Sequence, residues 1–234
     1  MPKITLPRRL LAEFLGSALL AAVVIGSGIA ASRLSEDAGL QLLQNALVTG
    51  AGLFALILIF APASGAHFNP VVSLVDAGFG ERAWRDAAAY IPVQIIGCIA
   101  GAMLANVMFD LDVISISANE RLTGATAAAE VVATAGLVMV IFALTQTGRS
   151  SWVPTAVGAY ITAAYYFTSS TSFANPAITI GRIFSDTFAG IDPGSAPGFI
   201  AAQLVGGALG FLVVRALYGT SARRAEPATM GETV

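Results

Sequence analysis

Six long apolar runs dominate the 234-residue chain: Leu10 to Ala31, Leu40 to Ala61, Ala87 to Phe109, Ala125 to Thr145, Trp152 to Phe167 and Gly198 to Tyr218. Runs of this kind read as membrane-crossing helices, because a helix rises about 1.5 Å per residue against a hydrocarbon core roughly 30 Å thick. Two further apolar segments, Phe68 to Phe79 and Phe173 to Phe188, are too short to cross and read as re-entrant half-membrane elements. Charged residues make up 11% of the chain, against about 25% in soluble domains, which excludes an ordinary soluble fold. A net charge of −2, one His and one Cys leave no basic face for nucleic acid, no disulfide and no cysteine metal site. The first run follows Lys3, Arg8 and Arg9 but has no small-residue cleavage site and exceeds a signal-peptide core, so it is expected as a mature helix. The expected fold is therefore an all-α membrane protein, with six transmembrane helices, two re-entrant half-helices and no sizeable extramembrane domain.

The chain also repeats itself. Glu13 in Ala12-Glu13-Phe14-Leu15-Gly16 is echoed by Glu130 in Ala129-Glu130-Val131-Val132-Ala133, 117 residues on. Asn69-Pro70-Val71 is echoed after 106 residues by Asn175-Pro176-Ala177, and Gln94-x-x-Gly97-x-x-x-Gly101 after 109 by Gln203-x-x-Gly206-x-x-x-Gly210. Each half, about 7–109 and 124–219, holds three spans. An odd number forces the second half to sit upside down, so this is expected to be an inverted repeat with both Asn-Pro segments meeting near the bilayer midplane. The polar stretch 220–234 is expected to be a flexible cytoplasmic tail.

Threading the spans puts Lys3, Arg8, Arg9, Arg82, Arg85, Arg149, Arg215, Arg223 and Arg224 on one side, and Arg33, Arg121 and Arg182 on the other. By the positive-inside rule the termini are expected in the cytoplasm, with Asp110, Asp112 and Glu120 in an external loop.

Asn before Pro is a natural helix start: the Asn side chain caps, and Pro at the first helical position has no amide hydrogen to leave unpaired. Two such starts facing each other bring two positive dipole ends to a narrow gap, which repels cations and protons. Each Asn also offers an amide NH2 to the oxygen of a passing neutral solute.

Ser64-Gly65-Ala66-His67-Phe68-Asn69-Pro70-Val71 and Phe173-Ala174-Asn175-Pro176-Ala177 resemble the paired NPA boxes of the aquaporin and aquaglyceroporin family, the major intrinsic proteins. Glu13, Glu130, Gln94 and Gln203 also match family positions, and the resemblance covers nearly the whole chain. It implies an aquaporin-like bundle with one pore per subunit, a homotetramer in membrane lipid, small neutral solutes and water as partners, and no nucleic acid. No cofactor and no metal are expected. The resemblance places the pore constriction at Asn69, Asn175, Pro70, Pro176, Val71 and Ala177, with Val71 bulkier than the usual Ala.

Carrying the family's outer selectivity filter over by counting back 20 residues from Asn69 and 12 from Asn175, with the pair flanking the second box, gives Thr49, Ala163, Ser172 and Ile178. Relatives usually place an aromatic at the first and Arg at the last. Here all four are uncharged and non-aromatic, so the expected filter is wide and lacks the five donors and fixed charge of Arg. Such a filter favours uncharged polyhydroxy solutes. It is similar to a bacterial branch associated with arsenic resistance, which implies glycerol, polyols and arsenite-type trihydroxides as solutes and a bacterial inner membrane as location. Arg182, one turn beyond Ile178, is either an outer-mouth residue that partly replaces the missing charge or a headgroup-seeking Arg without a filter role.

Intramembrane Glu13 and Glu130 have two readings, proton coupling or acceptance of backbone amides from the loops entering the half-helices; one acid per half and no other at depth favour the second. His67 reads as a packing residue of the first loop, possible to titrate but without metal partners. Cys98 reads as buried packing, and Gly97, Gly101, Gly206 and Gly210 as close helix contacts. A passive channel leads. The alternative is a secondary transporter using the same inverted-repeat half-helix site, which needs a coupling-ion site that the midplane lacks. An enzyme is not expected, since the chain has no H-E-x-x-H, no G-x-S-x-G and no acid pair placed for catalysis.

Overall fold

The computed structural model describes residues 4–219. The expected tail, with Lys3, Arg223 and Arg224, lies outside the described residues. Within them the chain forms long helices α1 (Leu6–Leu34), α2 (Ala38–Ser64), α4 (Trp84–Met108), α5 (Gly124–Gln146) and α8 (Ala196–Tyr218), each apolar and long enough to cross a membrane. Their ends follow local chemistry. Pro7 occupies the first turn of α1, Asp37 caps α2 by accepting from the Leu40 amide, and α2 stops at Gly65 in the left-handed conformation. Thr123 and Thr126 cap α5 reciprocally.

The fifth run forms the shortest of the crossing helices. Helix α6 covers only Val153–Phe167, 15 residues, and a 3-10 turn at Ser150–Trp152 precedes it. Together they reach about 28 Å, just enough to cross.

The half-helices are α3 (Pro70–Gly78) and α7 (Pro176–Gly181), the latter prolonged by a 3-10 turn at Arg182–Phe184. Both are shorter than the apolar segments Phe68 to Phe79 and Phe173 to Phe188. Beyond Phe184 the chain is an irregular strap to α8, held by Arg121, whose guanidinium donates to the carbonyls of Phe188 and Gly190. From their capping Asn residues the two half-helices run apart: α3 ends beside Phe211 near the close of α8, whereas α7 leads to Phe184, whose carbonyl accepts from Asn106 near the close of α4.

Small residues let the long helices approach. A Cβ added at Gly97 would lie 2.6 Å from the Phe14 carbonyl oxygen of α1, and one at Gly101 would strike the Ala18 carbonyl. In the second half, Gly206 and Gly210 stand likewise against the carbonyls of Val131 and Ala135, at 2.5 and 2.7 Å. Helix pairs α1–α4 and α5–α8 thus pack backbone to backbone, the arrangement small residues serve where the surrounding lipid is as apolar as Leu. The outer faces carry exposed Leu, Ile and Val, among them Leu58, Ile59, Ile96 and Leu212.

Candidate functional site: a lumen between two half-helices

The loops entering the half-helices carry the site, and their backbones are strained. Ala66 and Phe68 have φ of 51° and 50°; Ser172 and Ala174, at the same distances before the second Asn, have 53° and 49°. Left-handed backbone costs about 1–2 kcal/mol per non-glycine residue, so something must hold it. The two buried glutamates do. Glu13 Oε1 accepts from the His67 amide at 3.0 Å and Oε2 from the Phe68 amide at 2.8 Å. Glu130 accepts from the Phe173 and Ala174 amides, both at 2.9 Å. Each carboxylate also receives a glutamine: Gln94 Nε2 donates to Glu13 at 2.8 Å and Gln203 Nε2 to Glu130 at 2.6 Å. Those same amides donate to Ser73 and Thr179, each four residues past its Asn. A buried carboxylate is tolerated where several donors converge on it in this way.

These loops bring the two Asn residues together. Asn69 Nδ2 donates to the Ala174 carbonyl at 2.7 Å, and Asn175 Nδ2 to the Phe68 carbonyl at 2.8 Å. The Oδ1 atoms point the other way and cap the half-helices, accepting from the Val71 and Ala177 amides. Each Nδ2 therefore spends one hydrogen on the opposite loop and keeps one.

Both Asn side chains line a cavity of about 410 Å³ that reaches from Glu81 and Arg82 at one end of the bundle to Arg182 at the other. Its wall from α2 carries Thr49, Leu53 and Ile57, and its wall from α6 carries Val153, Val157, Ile161 and Tyr165 at intervals of four. The lumen is thus hydrocarbon interrupted by a few polar groups, as suits a small solute that must shed part of its water shell.

Of the expected filter positions, Thr49, Ser172 and Ile178 line the cavity. Ala163 does not: it lies on the exposed outer face of α6, and Tyr165 faces the lumen instead. On a helix, position 163 points about 160° away from Tyr165 and Ile161, so no lining can include all three. Counting back 12 residues from Asn175 therefore falls two residues short of the lumen-facing stripe. The signal that finds Tyr165 is the four-residue spacing of Val153, Val157, Ile161 and Tyr165. The tyrosine hydroxyl sits 3.2 Å from Thr49 Oγ1, so the lumen at this level is bounded by an aromatic ring and a hydroxyl pair rather than by small side chains.

The constriction needs a second correction. Pro70, Pro176, Val71 and Ala177 are buried but stand outside the cavity lining. Val71 packs against Gly207 of α8, where an added Cβ would collide with it, and joins Val72, Val75 and Val214 in an apolar cluster. The extra bulk relative to Ala is met by a glycine in α8 and does not narrow the lumen.

Arg182 is buried and lines the cavity, with its guanidinium carbon 3.4 Å from the centre of the Phe173 ring and its Nε donating to the Ala189 carbonyl. It does not reach for headgroups. His67 joins a polar cluster at the opposite mouth: Nδ1 lies 3.0 Å from Ser73 Oγ and Nε2 3.3 Å from Asp76, which also pairs with Arg82 at 3.0 Å. Sequence reasoning names Arg82 only for its charge and Asp76 not at all. Cys98 is fully buried in α4.

Two half-helices capped by crossed asparagines around a lumen define a membrane channel of the aquaporin architecture, and the family model of the major intrinsic proteins matches residues 1–171. The chain belongs to that family. It is 49% identical over 215 residues to aquaglyceroporin AqpS of Rhizobium meliloti (strain 1021), covering 92% of each chain. Aquaporin C of Dictyostelium discoideum is 29% identical over 197 residues, 77% of this chain and 71% of that one. The X-ray structure of the aquaglyceroporin from Plasmodium falciparum superposes with a TM-score of 0.70 over 93% of this chain and 97% of its own, at 20% identity, and so shares the fold.

Proposed function

We propose that the protein is a passive channel for small neutral hydroxylated solutes and water, of the aquaglyceroporin type. The crossed asparagines carry the reading: two half-helix amino termini face the lumen, and each Asn keeps one N–H for a solute oxygen. The name of the Rhizobium relative supports the class of solute. The inverted arrangement of the halves 7–109 and 124–219 is supported by the matched Glu, Gln and Asn bonds. The secondary-transporter alternative is not favoured, because the acids at depth, Glu13 and Glu130, are committed to loop amides rather than to a coupling ion.

The filter in this reading is Thr49, Tyr165, Ser172 and Ile178. Hydroxyls lie against hydrocarbon, which suits glycerol, polyols and arsenite-type trihydroxides: each has one face to hydrogen-bond and another to bury. Termini in the cytoplasm of a bacterial inner membrane and assembly as a homotetramer complete the proposal. The test is stopped-flow light scattering of proteoliposomes under gradients of glycerol, a five-carbon polyol and arsenite. Wild type is expected to pass glycerol and arsenite, Tyr165→Ala to speed the five-carbon polyol, and Ile178→Arg to restrict passage chiefly to water. A wild-type channel that conducts water alone overturns the solute assignment.

A further inference from the structure

The two mouths of the lumen carry opposite charges at equivalent positions. Asp76 follows its capping Asn69 by seven residues, Arg182 follows Asn175 by seven, and both line the cavity. Their surroundings differ. Asp76 is neutralised by Arg82 at 3.0 Å and faces His67 at 3.3 Å. Arg182 is only 3% exposed, yet has no ion pair among the described residues. Its Nε is spent on the Ala189 carbonyl, and its flat face rests on Phe173. The two terminal nitrogens have no protein acceptor among the described residues. A second guanidinium, that of Arg121, lies with its carbon 5.6 Å from the centre of the same ring, is committed to backbone carbonyls and adds positive potential.

A buried cation with no ion-pair partner is costly, and the free pair of terminal nitrogens is the fork that binds a planar oxyanion through two parallel hydrogen bonds. A second observation points the same way. Ser172 is 3% exposed, lines the same cavity, and its hydroxyl is buried with no hydrogen-bond partner.

We propose that Arg182 and Ser172 form a subsite for a small planar monovalent oxyanion or carboxylate in this mouth of the lumen, and that an anion held there obstructs the passage of neutral solutes. The subsite deepens the channel reading and rests on it for the obstruction alone. Ile178 and the apolar wall beyond it disfavour a charged solute, so the anion dwells at the mouth rather than crossing.

Nitrate is the probe, with chloride at equal ionic strength as the comparison. Calorimetry on the full-length protein in detergent is expected to show nitrate bound at least about tenfold tighter than chloride, and about 100 mM nitrate on both sides of proteoliposomes to slow wild-type glycerol flux roughly twofold or more. Arg182→Gln abolishes nitrate binding; Ser172→Ala weakens it. Arg182→Lys keeps the charge but loses the fork, so its nitrate preference over chloride falls, and it carries the test if Arg182→Gln does not fold. Equal affinity of wild type for nitrate and chloride overturns the subsite, as does wild-type nitrate affinity in Arg182→Gln. Nitrate binding with unaltered glycerol flux overturns its placement in the lumen. Protein that binds nitrate but passes no glycerol in any buffer overturns the channel reading and upholds the subsite.

Discussion

Glu13 and Glu130 each fill two backbone donors of a strained loop, and the geometry leaves no room for an amide in place of either carboxylate. In Glu130→Gln the new NH2 would face an amide N–H of Phe173 or Ala174, leaving one buried donor unsatisfied and the left-handed Ala174 without its anchor. The cost is about 2–4 kcal/mol, so the variant is expected to melt several degrees below wild type in detergent and to lose solute flux in proportion to the folded fraction. A stable, fully active Glu130→Gln would show that the loop is held by other contacts. These acids were legible in the sequence, because an isolated acid one turn into an apolar run has to find donors, and the only loose donors nearby belong to the loops. Tyr165 was not, because counting from the Asn box fixes a distance along the chain, whereas the helix period fixes which side chains face the lumen.

The elements were legible as far as hydrophobic length decides them. The long helices fall within a few residues of the apolar runs, since length and polarity alone determine a crossing. The half-helices were placed by their Asn-Pro caps but overextended at their far ends, where Arg182–Phe184 tightens into a 3-10 turn and the strap begins. Apolarity persists there to bury the strap, not to prolong the helix. The packing of the elements depends on glycines of unequal importance. Gly210→Ala puts a methyl 2.7 Å from the Ala135 carbonyl oxygen and 2.8 Å from Val138 Cβ, neither of which can move without shifting α5 against α8. Overpacking of this kind costs about 1–3 kcal/mol. Gly124→Ala, at the start of α5 with nothing within 4 Å of the new methyl, is expected to leave stability unchanged or raise it slightly. Thermal melts of the two purified variants check the contrast, and equal melting temperatures would mean that the α5–α8 contact is not the constraint the geometry makes it.

At the scale of the whole molecule, charge is distributed by end. Among the described residues, Arg8, Arg9, Arg82, Arg85, Arg149 and Arg215 gather at the end where α1 begins, with Arg9 paired to Asp86 at 3.0 Å and Arg82 to Asp76. The opposite end holds three arginines, and all three are turned onto backbone carbonyls: Arg33 onto Phe109, Arg121 onto Phe188 and Gly190, and Arg182 onto Ala189. Cations there serve as staples for the strap and loops, whereas several at the first end remain free to meet headgroups, and it is short-loop Lys and Arg near span ends that keep a segment in the cytoplasm. The bundle itself supplies a clean test. Its one cysteine, Cys98, is fully buried in α4 behind Gly181 and is closed to an aqueous reagent. A single cysteine introduced at exposed Glu81, beside the first mouth, or at exposed Asp112, in the loop of the opposite end, therefore reports its own side of the membrane. In intact cells a membrane-impermeant maleimide is expected to label Asp112→Cys and to spare Glu81→Cys until the membrane is opened. Labelling in the reverse order would put Arg182 and its open fork in the cytoplasm, and the anion subsite would then sense the cell interior rather than the surrounding medium.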